Sequence, residues 1–263
     1  MKKAVFIGNC QMSGIREVLR YTSFYENYTL EQFANWEMIE SKTAPPIHAL
    51  SSADLVVYQP LSDVHGCFST NPENPNSMLK NCKPDAVTIS LPRIHNNSLW
   101  PIFKKYSNES IYYGTDYIKH NQGISIHELL RLYDTGKLNF DFESRYLHNK
   151  TISIEKEITT DVKVIDYIDE NLRKKQLFLT HDHPTTDIFI HCTRQVCDIL
   201  DIEFPSIPVA DDNITGLQDS VYQNPSCRYP GSTYANRYFG FEWNTAVDDI
   251  FYRNQLIEHQ KTL

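Results

Sequence analysis

Residues Gly8-Asn9-Cys10-Gln11 set a thiol between two amides at the point where an apolar run, Ala4 to Ile7, comes to an end. Met12 to Tyr21 follows with Ile15, Val18 and Leu19 at helical spacing, so Cys10 is expected at a helix N-terminus. A buried strand that ends in a tight turn and opens a helix is where α/β sheets collect their chemistry, because backbone N–H groups and the helix dipole converge there. A thiolate in such a position is stabilised, which makes Cys10 a candidate nucleophile. A small buried cysteine without reactivity fits the same spacing.

A second cluster, His181-Asp182-His183-Pro184, precedes a helical pattern that runs from Pro184 to Leu200. A thiol needs an imidazole to become a competent nucleophile, or to hand a proton to a leaving group. His183, next to the helix-starting proline, is the expected partner of Cys10. His181 lies two residues earlier and points to the other side if the chain is extended. Gly8, Asn9, Gln11 and Gln59, with His181, are read as lining a substrate or oxyanion site. Amides at strand ends also serve simply to satisfy loop backbone. Arg93 is the basic residue best placed for a phosphate, and Lys119 is a weaker one. His181, His183, Asp187 and His191 supply metal-ligand types but match no strong zinc spacing, so no metal is expected.

The elements that must position these groups are short apolar strands. Ala4 to Ile7, Tyr28 to Phe33, Leu55 to Tyr58 and Asp85 to Leu91 are expected strands, the last two stopped by Pro60 and Pro92. Apolar strands separated by longer segments favour a parallel sheet with helical crossovers. The expected fold is therefore α/β: three layers around a mostly parallel sheet, Rossmann-like or SGNH-like in the N-terminal part, with a helical, loop-rich C-terminal part. Gly8 to Gln11, Gln59 and Arg93 should then share one sheet edge. Ser69 to Asn76 reads as a surface loop over the site. Ile124 to Leu138 reads as a helix, Ile152 to Lys175 as one long charged helix burying Ile158, Val162, Ile165 and Ile168, and Val247 to Gln260 as a closing helix. Residues 1–200 are expected to form the catalytic domain and 201–263 an extension packed on it.

The 263 residues carry 25 basic and 33 acidic side chains, a net charge of -8, which argues against a general nucleic-acid or membrane-surface binder. Local basic pockets for phosphate are compatible with that balance. Six cysteines lack paired metal spacing and are too sparse for a disulfide scaffold, which favours a reduced, cytoplasmic chain. No stretch approaches the roughly 20 apolar residues of a membrane span.

Gly-Asn-Cys-Gln after the first strand, the Val-Val-Tyr-Gln-Pro strand end with Leu-Ser-Asp behind it, and the late Thr-His-Asp-His-Pro-Thr segment together resemble the WcbI family of bacterial polysaccharide biosynthesis proteins. The likeness covers roughly residues 3 to 200. It implies a cytoplasmic protein that binds coenzyme A or acetyl-coenzyme A and acetylates a capsular or other surface sugar. Cys10 and His183 would then occupy the active centre, with Asn9, Gln11 and Gln59 around it; Arg93 is inferred independently of the family. The strand-turn-nucleophile order is also similar to SGNH-type esterases, with cysteine in the serine position and Thr180 and Asp182 only loosely imitating the acid before the histidine. Two rival functions follow: an esterase or deacetylase acting on a glycan ester, and a non-enzymatic protein binding a nucleotide-like ligand. A homo-oligomer is compatible with all three.

Overall fold

The computed structural model describes residues 1–100, 123–206, 229–243 and 246–260. Four strands, β1 (Lys2–Gly8), β2 (Tyr28–Ala34), β3 (Leu55–Tyr58) and β4 (Val87–Ser90), form one sheet in the order β2-β1-β3-β4. Every pairing is parallel, with Ile7 opposite Phe33 and Tyr58, and Tyr58 opposite Ser90. The chain leaves β1 toward β2 on one side and later returns to β3 on the other. Such a reversal opens a crevice beyond the carboxyl ends of β1 and β3.

Both faces of the sheet are covered, which is why β1 and β3 read as continuous apolar runs. Ala4, Phe6, Leu55, Val57 and Ile89 join the larger core, and Val5, Ile7 and Val56 face a smaller one. This alternation is the two-residue period of a strand, and it makes the domain three-layered. The smaller core is closed by α3 (Asn35–Ser41) and α4 (Ile47–Ser52), and by Phe68 and Met78. Phe68 and Met78 flank the Asn- and Pro-rich segment, whose Ser69, Asn71 and Asn74 side chains donate to the Asp63 carboxylate at 2.6–2.9 Å.

The larger core holds α1 (Gln11–Leu19) and a one-turn α2 (Phe24–Asn27), followed in the chain by α5 (Ile126–Asp134), α6 (Phe142–Glu157) and α7 (Ile165–Asn171). The single long helix expected over Ile152 to Lys175 is therefore two helices with a break. Asp161 causes the break: its carboxylate accepts from Ser90 N and Oγ at 2.7 and 2.6 Å, while Ser90 O accepts from Asp161 N and Val162 N. Tying the chain to the end of β4 carries Val162 and Val164 into the core and leaves Ile158 71% exposed. Glu157 then accepts from Val164 N and Ile165 N, capping the new helix.

Beyond α7, the short strands β5 (Phe178–Thr180) and β6 (His183–Pro184) pair antiparallel and lead into α8 (Thr186–Ile199). Pro184 thus lies in a strand, not in the first helical turn. Thr185 explains the delay, since its N–H and hydroxyl hold Leu177 O and Gln176 O at 2.9 and 3.1 Å and keep the chain extended. In the C-terminal part, α9 (Thr233–Phe239) and α10 (Asp249–Gln260) place Ala235, Phe239, Tyr252 and Leu256 in the larger core. Among the described residues no helix is long and apolar enough to cross a membrane.

Helices α1 and α8 touch directly because Gly14 has no side chain. A Cβ there would sit 2.4 Å from the Phe189 ring. Gly14→Ala should therefore destabilise the fold by about 1–3 kcal/mol through overpacking, with Phe189→Leu recovering part of the loss. Urea unfolding of the single and double variants checks this, and an unchanged midpoint for Gly14→Ala would show that the contact is loose.

Candidate active site

At the end of β1 the side chains of Met12 and Gln59 fill the space that a side chain at position 8 would need. A Cβ on Gly8 would meet Met12 Cγ at 2.5 Å and Gln59 Oε1 at 2.8 Å. Gln59 comes from just beyond β3, and its Oε1 accepts from Asn9 N at 2.8 Å. Asn9 Oδ1 in turn accepts from Gln11 N at 3.0 Å, and Asn9 O and Cys10 O accept the Met12 and Ser13 N–H groups that start α1. Cys10 is the N-cap residue, with φ −55° and ψ −21°, and it is exposed.

Gln11 is 2% exposed and uses both ends of its amide. Nε2 donates to Ile94 O at 2.6 Å and to Asp182 O at 2.8 Å, while Oε1 accepts from Ile94 N and from Gln59 Nε2, each at 3.1 Å. Two amide hydrogens and two carbonyl lone pairs are the whole capacity of the group. Gln11 is therefore a tether, and the expectation that it donates to an oxyanion gives way because its hydrogens are already committed. Through it the turn after β1, the ends of β3 and β4 and the β5–β6 turn are held as one assembly. Asn96 N adds a second tie, to His181 O at 2.7 Å.

Cys10 and His183 are the chain neighbours of the two residues that the Gln11–Asp182 bond joins. His181 does not point away from His183. Residues 181 and 182 form a turn, and His181 Nε2 and His183 Nδ1 both lie 3.6 Å from Asp182 Oδ1. His95 packs edge-on against His181 with ring centroids 5.2 Å apart, and Tyr229 stacks over His181 at 6.4 Å. Thr180 Oγ1 lies 2.7 Å from His183 Nδ1 and donates to Asp182 Oδ1 at 3.0 Å.

Burial sets the charges in this cluster. It pushes the His183 imidazole below its usual range against the pull of Asp182, and lowers His181 likewise, with His183 and Arg93 adding to the effect. For His95, burial together with His181 and Arg93 brings the pKa down to about 3. Asp182 goes the other way: burial raises it, but His181, His183 and the Thr180 hydroxyl outweigh burial and leave it below the ordinary carboxylate range. The result at neutral pH is three uncharged imidazoles around one carboxylate.

Of the residues expected from sequence, Gly8, Asn9, Cys10, Gln11 and Gln59 meet at the turn, and His181 and His183 lie across the Gln11 bridge. Arg93 is exposed on the same edge, close enough for its charge to act on His95 and His181. Lys119 lies outside the described residues. Asp187 and His191 are drawn elsewhere: Asp187 pairs with Lys175 at 3.4 Å, and His191 stacks on Tyr167 with its Nε2 3.1 Å from Lys163 O. Among the described residues no group of three or more His, Cys, Asp or Glu is arranged around a common metal position. His95 was not singled out by sequence reasoning, and Thr180 was read only as a loose stand-in for the acid before the histidine. His95 sits two residues after Arg93, just beyond the β4 proline, and that position was the signal that could have found it.

Fold and cleft together define a doubly wound α/β protein whose reactive side chains gather at the carboxyl edge of the sheet. The family model for the polysaccharide biosynthesis enzyme WcbI matches residues 3–205, and the chain belongs to that family. A solved structure with TM-score 0.66 and 17% identity covers 99% of this chain and 90% of its own; it is described as WcbI, a novel polysaccharide biosynthesis enzyme, in the native form without a disulfide bond between coenzyme A and a cysteine. Among curated proteins none matches the chain.

The buried imidazoles make stability depend on pH. His95 is neutral in the folded protein down to about pH 3, whereas an unfolded histidine takes a proton near 6.5. Between these values the unfolded chain binds more protons, so stability is full above about pH 6.5 and falls as the pH drops toward 3. His95→Gln should flatten this decline in urea titrations run at several pH values. An identical slope in the variant would mean that His95 carries none of it.

Proposed function

We propose that the protein is a cytoplasmic, coenzyme A-dependent acyltransferase that acetylates a sugar in surface polysaccharide biosynthesis. The observation carrying this reading is the 2.8 Å bond from Gln11 Nε2 to Asp182 O, which ties the segment bearing Cys10 to the segment bearing His183. Family membership supports a polysaccharide substrate. Coenzyme A paired with a cysteine in the description of the similar WcbI structure agrees with a thioester sulfur placed near Cys10.

The residues present suit such a ligand. An exposed thiol at the start of α1 sits where the helix dipole favours developing negative charge, and Arg93 offers an exposed cation on the same edge for a phosphate. Bound coenzyme A would supply the activated acyl group. His183, uncharged at neutral pH, takes the proton of the attacking group, either the sugar hydroxyl or the Cys10 thiol. Negative charge then collects on the carbonyl oxygen, facing the Asn9 amide, whose Oδ1 is held by Gln11 N so that Nδ2 is its donor end. His183 returns its proton to the departing thiolate. Gln59 and His181 line the cleft, the first fixing the turn and the second packed between His95 and Tyr229.

Calorimetry with coenzyme A and acetyl-coenzyme A tests the ligand without knowledge of the acceptor, and thermal shifts should rise with ligand concentration. His183→Ala should lower acetyl transfer by about 10²–10⁴-fold while coenzyme A still binds. Full turnover in Cys10→Ala would select direct attack by the sugar, and its loss an acyl-cysteine. Absence of binding by either compound would overturn the proposal. Acetate release from an acetylated glycan without coenzyme A would favour the esterase.

A further inference from the structure

We propose that Thr180 is a positioning residue that holds His183 with its proton on Nδ1, so that Nε2 carries the lone pair; this rests on the reading of His183 as the base in acyl transfer. Thr180 ends β5 and is the register partner of His183 in β6, so the antiparallel pairing sets the two residues opposite one another. Thr180 is 2% exposed, so its bonds are made away from bulk solvent.

A hydroxyl has one hydrogen and two lone pairs. Thr180 Oγ1 has two polar neighbours, Asp182 Oδ1 at 3.0 Å and His183 Nδ1 at 2.7 Å. An ionised carboxylate accepts only, so the threonine hydrogen goes to Asp182. Were it given to His183 instead, two oxygens would face each other at 3.0 Å with no proton between them. The remaining arrangement has the imidazole donating Nδ1–H to the threonine oxygen. Asp182 Oδ1, 3.6 Å from the same nitrogen, favours that proton as well. Asp182 thus acts on His183 through the threonine hydroxyl, and the carboxylate, hydroxyl and imidazole form a chain in which each donor has one acceptor. The Thr185 N–H donates to Leu177 O and its hydroxyl to Gln176 O, which ties together the segments that flank the strand pair.

Histidine ¹⁵N–¹H correlation spectra of the full-length protein, recorded without substrate, read the tautomer directly. The wild type and Thr180→Ser should show the Nδ1–H form at His183, and Thr180→Val a mixture of both neutral tautomers. In acetyl transfer, Thr180→Val should lose about tenfold or more in kcat with little change in KM for acetyl-coenzyme A, Thr180→Ser should recover most of it, and neither should lower the residual rate of His183→Ala further. A wild-type His183 that is mainly Nε2–H overturns the proposal and requires no variant to fold. So does a Thr180→Val protein whose tautomer is unchanged. A protein that holds the Nδ1–H form, yet transfers no acyl group, upholds the positioning and defeats the acyltransferase reading instead.

Discussion

One buried amide organises the cleft. Gln11 sits in the first turn of α1, and its four hydrogen bonds reach the ends of β3 and β4 and the β5–β6 turn, segments far apart in the chain. In a site shielded from water such bonds are strong, and leaving any partner without one costs roughly 1–3 kcal/mol. The amide therefore specifies a single arrangement of these loops. Gly8 is part of the same constraint, because the Gln59 oxygen that fixes the turn occupies the space a side chain would need. Cys10 and His183 are the chain neighbours of the two residues that this bridge joins.

The electrostatic character of the cleft follows from where the bridge places the imidazoles. Burial leaves His95, His181 and His183 uncharged at neutral pH, and the charge of Arg93 lowers His95 and His181 further. Asp182 keeps its charge because those same rings and a threonine hydroxyl surround it. At neutral pH an uncharged imidazole is equipped to accept a proton. Arg93 itself stays exposed at the same edge.

The sheet and its chemical edge were legible because local pattern decided them. An apolar run cut by Gly-Asn-Cys-Gln makes a strand and then a helix, and prolines 60 and 92 end strands that pair with it in parallel. What stayed hidden depends on contacts between distant residues. Nothing near Asp161 announces that its carboxylate is claimed by Ser90, so an unbroken helical period from Ile152 to Lys175 was expected. Pro184 has the spacing of a helix start, yet it lies in β6, and Thr185 is held extended by its bonds to the backbone of Gln176 and Leu177. The turn at residues 181 and 182, which brings both histidines to one carboxylate, reverses a geometry assumed from extended chain. For Gln11 the residue type was the right signal and its use was not: the same amide that suits an oxyanion also suits a tether, and only the positions of Ile94 and Asp182 decide.

Amide hydrogen exchange in Gln11→Met tests the tether directly, since methionine keeps the bulk and removes the amide. Ile94 N–H, bonded to Gln11 Oε1, should lose protection, and so should Asn96 N–H, whose acceptor His181 O is held in place only as long as the bridge stands. Strand amides of β1 and β3 should exchange as slowly as before. If Ile94 alone changes and Asn96 stays protected, the histidine turn is held without Gln11 and this account of the cleft is wrong.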